Sequence, residues 1–347
     1  MKTTAAILVD LGQPLRVVEL EVPALRAGQV LVQIAFSGVC HTQVLEVRGY
    51  RGADRFLPHC LGHEGSGLVL DVGPGVTKVK QGDHVVLSWI RGSGADIPGT
   101  VYGWAGRGVN AGGVTTFSRH AVVSENRLTL MPDGLGPETA ALLGCAVATG
   151  MGAVFNTACP RPGQSLVVFG AGGVGLCAVA AAATAGCMPV VAVDVLPQKL
   201  ETAVHLGATH TLLATDSVDL LAEVTRICCG APDFAIEATG RPAIMLAALQ
   251  CVRSQGGTAV VVGNARYGET LTIDPMLLNA GKRLLGTWGG DTIPDRDFPR
   301  FAKILALNRF DLGTLQSAPY SLSDANRAIE DLEQGNAIRP LIDPARE

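Results

Sequence analysis

A chain of 347 residues is long for one hydrophobic core and suits two domains. With 48% hydrophobic and 17% charged residues it is not intrinsically disordered, and its 43 glycines follow no Gly-X-Y period, which excludes collagen. A net charge of −4 gives no electrostatic footprint for nucleic acid or an anionic membrane surface.

The first fourteen residues meet Asp10 too early for the apolar region of a signal peptide. Nine cysteines, in no CxxC pair and no even spacing, do not read as a disulfide framework, so a reducing cytoplasm is the expected compartment. Up to about residue 146 the chain reads as short strands between glycine turns, with β-branched or alternating runs at 29–39, 66–73, 83–89 and 119–124. The stretch 138–155 changes to helical spacing with small residues. From Ser165 strands and helices alternate: strands over 165–170, 189–194, 209–213, 233–238, 257–263 and 282–287, helices over 174–186, 197–207, 218–228, 241–252 and 275–281. That rhythm places the chain in the α/β class with a doubly wound parallel sheet. The uncharged stretch from Pro162 to Val193 has the length of a membrane span, but its glycines and Pro189 divide it into a helix and a strand. After about residue 288 come two helical stretches, 296–308 and 323–335, and a last strand over 337–343.

Gly170-Ala171-Gly172-Gly173-Val174-Gly175 follows a strand and opens a small-residue helix, the context that gives a G-x-G-x-x-G turn its meaning. Gly170 makes the turn, Gly172 lets a pyrophosphate approach backbone amides, and Gly175 lets helix and strand pack closely. Asp194, ending the next strand, is placed to bind the ribose hydroxyls and to repel a 2′-phosphate, which favours NAD over NADP. Cys40, His63 and Cys145 are separated along the chain and do not have finger spacing. Together, though, two thiolates and one imidazole with an open fourth position are a catalytic zinc set.

With Gly38-Val39-Cys40-His41-Thr42, Gly62-His63-Glu64-Gly65, Cys145, the glycine turn and the terminal 337–343 segment in this order, the chain resembles the zinc-dependent medium-chain alcohol dehydrogenases nearly end to end. The resemblance implies a GroES-like irregular β catalytic domain over 1–146 and 288–347 and an NAD-binding Rossmann domain over 147–287. It makes Cys40, His63 and Cys145 the ligands of one catalytic zinc, with Glu64 a transient extra ligand. Thr42 would accept the alcohol proton. His41 and Arg339 would contact the pyrophosphate, Thr149 and Val174 would lie behind the nicotinamide, Lys199 would approach the adenosine ribose beside Asp194, and Thr239 would be a further cofactor contact. Trp89 occupies a position that lines the substrate pocket in relatives, against the alternative of a core tryptophan. The implied reaction is hydride transfer between a small primary or secondary alcohol and NAD+, giving aldehyde or ketone, in a homodimer or homotetramer joined through strand 257–263 and segment 274–286. A zinc-free quinone or enoyl reductase and a non-catalytic NAD-binding protein are the competing readings, and the full ligand trio with Thr42 speaks against both.

Three departures stand out. Gln43 replaces the acid that usually orients the zinc-bound histidine, and its amide oxygen is expected to accept the imidazole N–H instead. Leu45 removes a usual station of the proton relay, leaving water or His41. Residues 91–118 contain no cysteine where many relatives carry four, so no structural zinc is expected there.

Overall fold

The computed structural model describes residues 1–308, 310–316 and 318–346. The chain divides into two compact units, one of Met1–Cys145, Ile293–Ala302 and Leu315–Glu347, the other of Ala146–Thr292 and Lys303–Thr314.

In the first unit, Gln29–Gly38 is the central strand. Its two edges are taken by Glu64–Val72 on one side and, in succession, by His120–Ser124 and Leu341–Asp343 on the other. Its alternation serves two cores at once: Val30, Val32 and Ile34 pack with Val69, Val85 and Leu87, while Leu31 joins Ile7, Leu20 and Tyr102. The sheet continues outward through His84–Ser88 and Leu128–Leu130. A small closed barrel completes the unit, from Lys2–Leu8, Arg16–Glu21, Thr100–Trp104, Arg107–Ala111 and His59–Cys60. The hairpin within it turns on Ala105 and Gly106, both with positive φ (48° and 79°), the two-residue turn whose twist matches its strands. An alanine at such a turn gives no sequence signal, so this hairpin is not legible in the glycine-rich stretch.

The helical stretch expected over 138–155 forms as Pro137–Leu142 and Ala148–Gly152, joined by a wide π turn at Leu143–Val147 and followed by a second at Ala153–Ala158. The run 137–158 has the length and apolarity of a membrane span, but 83% of its apolar window is buried inside the protein. In the tail the helices Pro294–Asn308 and Ala325–Gln334 form, while the strand expected over 337–343 keeps only Leu341–Asp343. Pro340 cannot donate to a ladder, and the Arg339 N–H goes to the Leu315 carbonyl instead (3.0 Å).

The second unit contains a six-stranded parallel sheet in the order His210–Leu213, Val190–Asp194, Leu166–Phe169, Phe234–Glu237, Thr258–Val261, Arg283–Gly286. All six expected strands are present, and the order is that of a doubly wound dinucleotide fold, reversing between Leu166–Phe169 and Phe234–Glu237. The uncharged 162–193 stretch folds as strand Leu166–Phe169, helix Gly173–Thr184 and the start of the next strand. Thr258–Val261 is paired on both sides, so strand 257–263 has no edge left for a second copy of the chain; Arg283–Gly286 has one.

Candidate active site

Three segments of the first unit bring Cys40, His63 and Cys145 together, with their ligand atoms all within 4.8 Å of one another. Cys40 caps the short helix His41–Val47, His63 immediately precedes strand Glu64–Val72, and Cys145 sits in the π turn Leu143–Val147. The wide turn is fastened by Ser88 Oγ, which donates to the Gly144 carbonyl (2.6 Å). Both thiols are buried, and His63 Nε2 is buried with no hydrogen-bond partner among the protein atoms. Among the described residues this is the one group of three such side chains within that reach. An orphaned imidazole nitrogen facing two thiols fits a tetrahedral Cys2His zinc site with one open position.

The electrostatics favour one anionic sulfur, at Cys40. The Cys145 thiol beside it holds Cys40 well below the usual thiol range, and Arg339 pulls in the same direction; Cys145, facing Cys40, is pushed up in return. Burial lowers the His63 pKa, but the Cys40 thiolate more than compensates. Arg339 is 3% exposed and ion-paired through Nη2 with Oε1 of Glu64, itself fully buried. The Leu341–Asp343 strand, registered Leu341 to Gly38, is what carries Arg339 to this position. Glu64 is wedged between the backbones that precede the two cysteines: a Cβ at Gly38 would lie 2.1 Å from its Oε1, and one at Gly144 2.9 Å from its Cβ. Arg339 and Glu64, assigned by the resemblance to the pyrophosphate and to the metal, are thus found engaged with each other.

Gln43 is used differently from expectation. Its Oε1 accepts the Cys40 N–H (3.0 Å) and its Nε2 lies 2.7 Å from His63 Nδ1, so one amide touches two ligands. A ring that holds a metal through Nε2 carries its proton on Nδ1. A neutral amide meets that state by turning its oxygen to the ring, which a carboxylate need not do. Thr42 Oγ1 lies 3.7 Å from Cys40 Sγ, while His41 is exposed at the start of the same helix. Trp89 stands edge-on to His63, ring centroids 6.5 Å apart, and packs against the Val32–Leu87 core. The core alternative is met, and that packing also brings the ring to one of the three ligands.

A cavity of about 700 Å³ opens beside His63 and Gln43, walled by Phe56, Leu61 and Val114. Charged groups from one stretch of the chain, Glu46 to His59, meet here: Arg51 pairs with Glu46 (2.9 Å) and His59 with Asp54 (2.9 Å), and all four line the cavity. Each pair is five residues apart, between the helix His41–Val47 and the strand His59–Cys60. Cys60 also lines it, but burial pushes its thiol up to about 12, so it is inert.

In the second unit the turn Gly170–Gly175 has the shape its spacing implies. Gly170 has φ +93°, and a Cβ at Gly175 would lie 1.8 Å from the Gly170 carbonyl oxygen. Gly172 caps the helix Gly173–Thr184 and has open space where a Cβ would be, room for a phosphate at a helix N-terminus. Asp194 ends its strand and accepts the Ala171 N–H (2.7 Å) and the Leu196 N–H (3.0 Å), so it also shapes the turn. Lys199 is half-buried on the helix Pro197–His205 that follows. The helix that carries Thr149 packs on the one that carries Val174: a Cβ at Gly150 would lie 2.2 Å from the Val174 carbonyl oxygen. The Thr149 hydroxyl is buried without a partner. Thr239 packs its methyl against Gly170.

Two family models match the chain, an alcohol dehydrogenase GroES-like domain over residues 26–133 and a zinc-binding dehydrogenase domain over 173–306. The chain is 32% identical to an S-(hydroxymethyl)glutathione dehydrogenase of Synechocystis sp. over 99% of its own length and 100% of that protein's. Among solved structures it is similar to an alcohol dehydrogenase zinc-binding domain protein from Burkholderia ambifaria (31% identity, TM-score 0.90, 99% of each chain). It is likewise similar to benzyl alcohol dehydrogenase from Acinetobacter calcoaceticus (30%, TM-score 0.88, 99% of each chain).

Proposed function

The chain belongs to the zinc-dependent alcohol dehydrogenases, and from that premise we propose that it oxidises a primary or secondary alcohol to an aldehyde or ketone with NAD+, using one zinc per subunit. Oxidoreduction of a small-molecule alcohol, with zinc and a nicotinamide cofactor, is the activity of the family; the residue roles, the choice of NAD and the zinc count are this reading's own. The observation that carries it is the convergence of Cys40, Cys145 and the orphaned Nε2 of His63.

When bound by these three side chains, zinc supplies the Lewis acidity that brings an alcohol's pKa toward neutrality. The Thr42 hydroxyl takes the alcohol proton at Oγ1, and because Leu45 cannot carry it further, the proton leaves by water or His41. Arg339 balances the charge of Glu64 and of the thiolates. The Gly170–Gly175 turn seats the pyrophosphate, Asp194 takes the ribose hydroxyls with Lys199 beside it, and Thr149, Val174 and Thr239 position the rest of the cofactor. The reading includes a homodimer or homotetramer. It is supported by the free edge of Arg283–Gly286 and by the exposed Met276 and Leu278 nearby.

The test is an NADH absorbance screen of the purified protein against aliphatic, aromatic and cyclic alcohols, with NAD+ and NADP+ in parallel and zinc content measured. Turnover with NAD+ that a chelator abolishes is expected. Turnover indifferent to chelator, or faster with NADP+, overturns the zinc or the NAD part of the proposal.

A further inference from the structure

We propose that Glu237, which belongs to none of the motifs above, is the positioning residue that sets the cofactor-binding edge of the parallel sheet. The proposal rests on the reading of Gly170–Gly175 as a dinucleotide site. Glu237 ends strand Phe234–Glu237 and is fully buried. Its Oε1 collects three donors from the turn that follows: the Thr239 N–H (2.6 Å), the Thr239 hydroxyl and the Gly240 N–H (2.9 Å). Its Oε2 lies on the other side, toward Gly263, where a Cβ would be 3.0 Å from it. The hydrogen bonds of Oε1 are directed at one turn.

That turn supports the phosphate loop. Ala238 donates its N–H to Phe169 (2.8 Å), and a Cβ at Gly170 would lie 2.9 Å from the Thr239 methyl. On the other side the Glu237 carbonyl accepts from Val262 (2.8 Å) and Gly263 (3.1 Å), and a Cβ at Gly263 would lie 2.1 Å from the Gly240 nitrogen. Glu237 thus links the ends of Phe234–Glu237 and Thr258–Val261 and holds the turn that carries Thr239 against Gly170. Phe234–Glu237 is one of the two strands between which the sheet order reverses, the place where such sheets bind ligands. Burial raises the carboxyl pKa, in keeping with a role as hydrogen-bond acceptor rather than as a charge. An amide oxygen accepts the same bonds; an alanine accepts none.

The experiment is NADH binding by fluorescence titration of the zinc-loaded protein, alongside kcat at saturating NAD+ and a thermal melt. Glu237→Gln should bind NADH within about threefold of wild type, whereas Glu237→Ala should weaken it about tenfold or more with kcat changed less than about threefold. Equal weakening in both variants, or wild-type affinity in Glu237→Ala, overturns the proposal. Should Glu237→Ala fail to fold, Glu237→Met decides, since it keeps the side-chain length and removes the acceptor oxygens. A measurable weakening of NADH binding supports the role, and wild-type affinity overturns it. Wild-type protein that binds no NADH would instead sink the dinucleotide reading itself.

Discussion

Two parts of the first unit hold irregular backbone in opposite ways. At Cys40, His63 and Cys145 the side chains converge and leave a buried nitrogen with nothing to bond. In the glycine-rich segment that begins at Arg91, the protein's own groups answer the backbone donors. Glu125 accepts Thr77 and Lys78 N–H through Oε1 (2.6 and 2.8 Å) and Ala95 N–H through Oε2 (2.8 Å). Asp295 takes the Ser93 N–H (2.7 Å) and pairs with Lys78 (2.5 Å), and Ser124 Oγ accepts from Ile97 (2.9 Å) while donating to Ala95. The difference is one of completeness. A set of ligands with an orphan atom asks for an ion, and a segment whose backbone donors meet carboxylates is held by the protein's own groups.

The comparison breaks most visibly at the metal ligands. Cys145→Ser should lose zinc and lower kcat about 10³-fold or more, because several kcal/mol of charge stabilisation disappear at tenfold per 1.4 kcal/mol. Its melting behaviour over the Arg91 segment should stay close to wild type, which limited proteolysis would check; a mutant that keeps zinc and turnover removes Cys145 from the site. In the segment the converse holds. Glu125→Ala strands three backbone N–H groups, at half-buried Lys78 and Ala95 and at exposed Thr77, and should cost about 2 kcal/mol of stability with zinc content unchanged. If metal analysis found two zincs in wild type and one in this variant, the contrast drawn here would be wrong.

The sheet of the second unit was fully legible because parallel strands buried on both faces announce themselves as unbroken apolar runs. Its six strands fall where the runs place them. Much of the first unit was not. The hairpin Thr100–Ala111 turns on an alanine at positive φ, and His59–Cys60 is two residues long. At the site, the resemblance named Cys40, His63 and Cys145, but spacing could not show that Arg339 would meet Glu64, 275 residues away in the chain. Nor could it show that the Gln43 oxygen would go to Cys40. Both depend on the register of a tail strand and on one helix cap, which are tertiary facts. Glu125 and Glu237 escaped notice for a related reason: each is a single acid whose meaning lies in the backbone groups it reaches.

A smaller effect sharpens the contrast through pH. Burial raises the Glu125 pKa, but the N–H groups of Ala95, Thr77 and Lys78 lower it further, and Asp295 is likewise held below the usual aspartate range against its own burial, chiefly by Lys78. A depressed folded-state carboxylate contributes stability that is complete above its unfolded value, about 4.3 for glutamate, and is lost as pH falls through the folded value. Glu125→Gln keeps an acceptor oxygen and loses the charge. It should therefore be about 1 kcal/mol less stable than wild type at pH 7, and the gap should close as pH drops below about 4. Urea midpoints at pH 7, 5 and 3 measure this directly. A gap that stays constant down to pH 3 would mean that shape, and not a carboxylate on backbone donors, holds the segment that begins at Arg91.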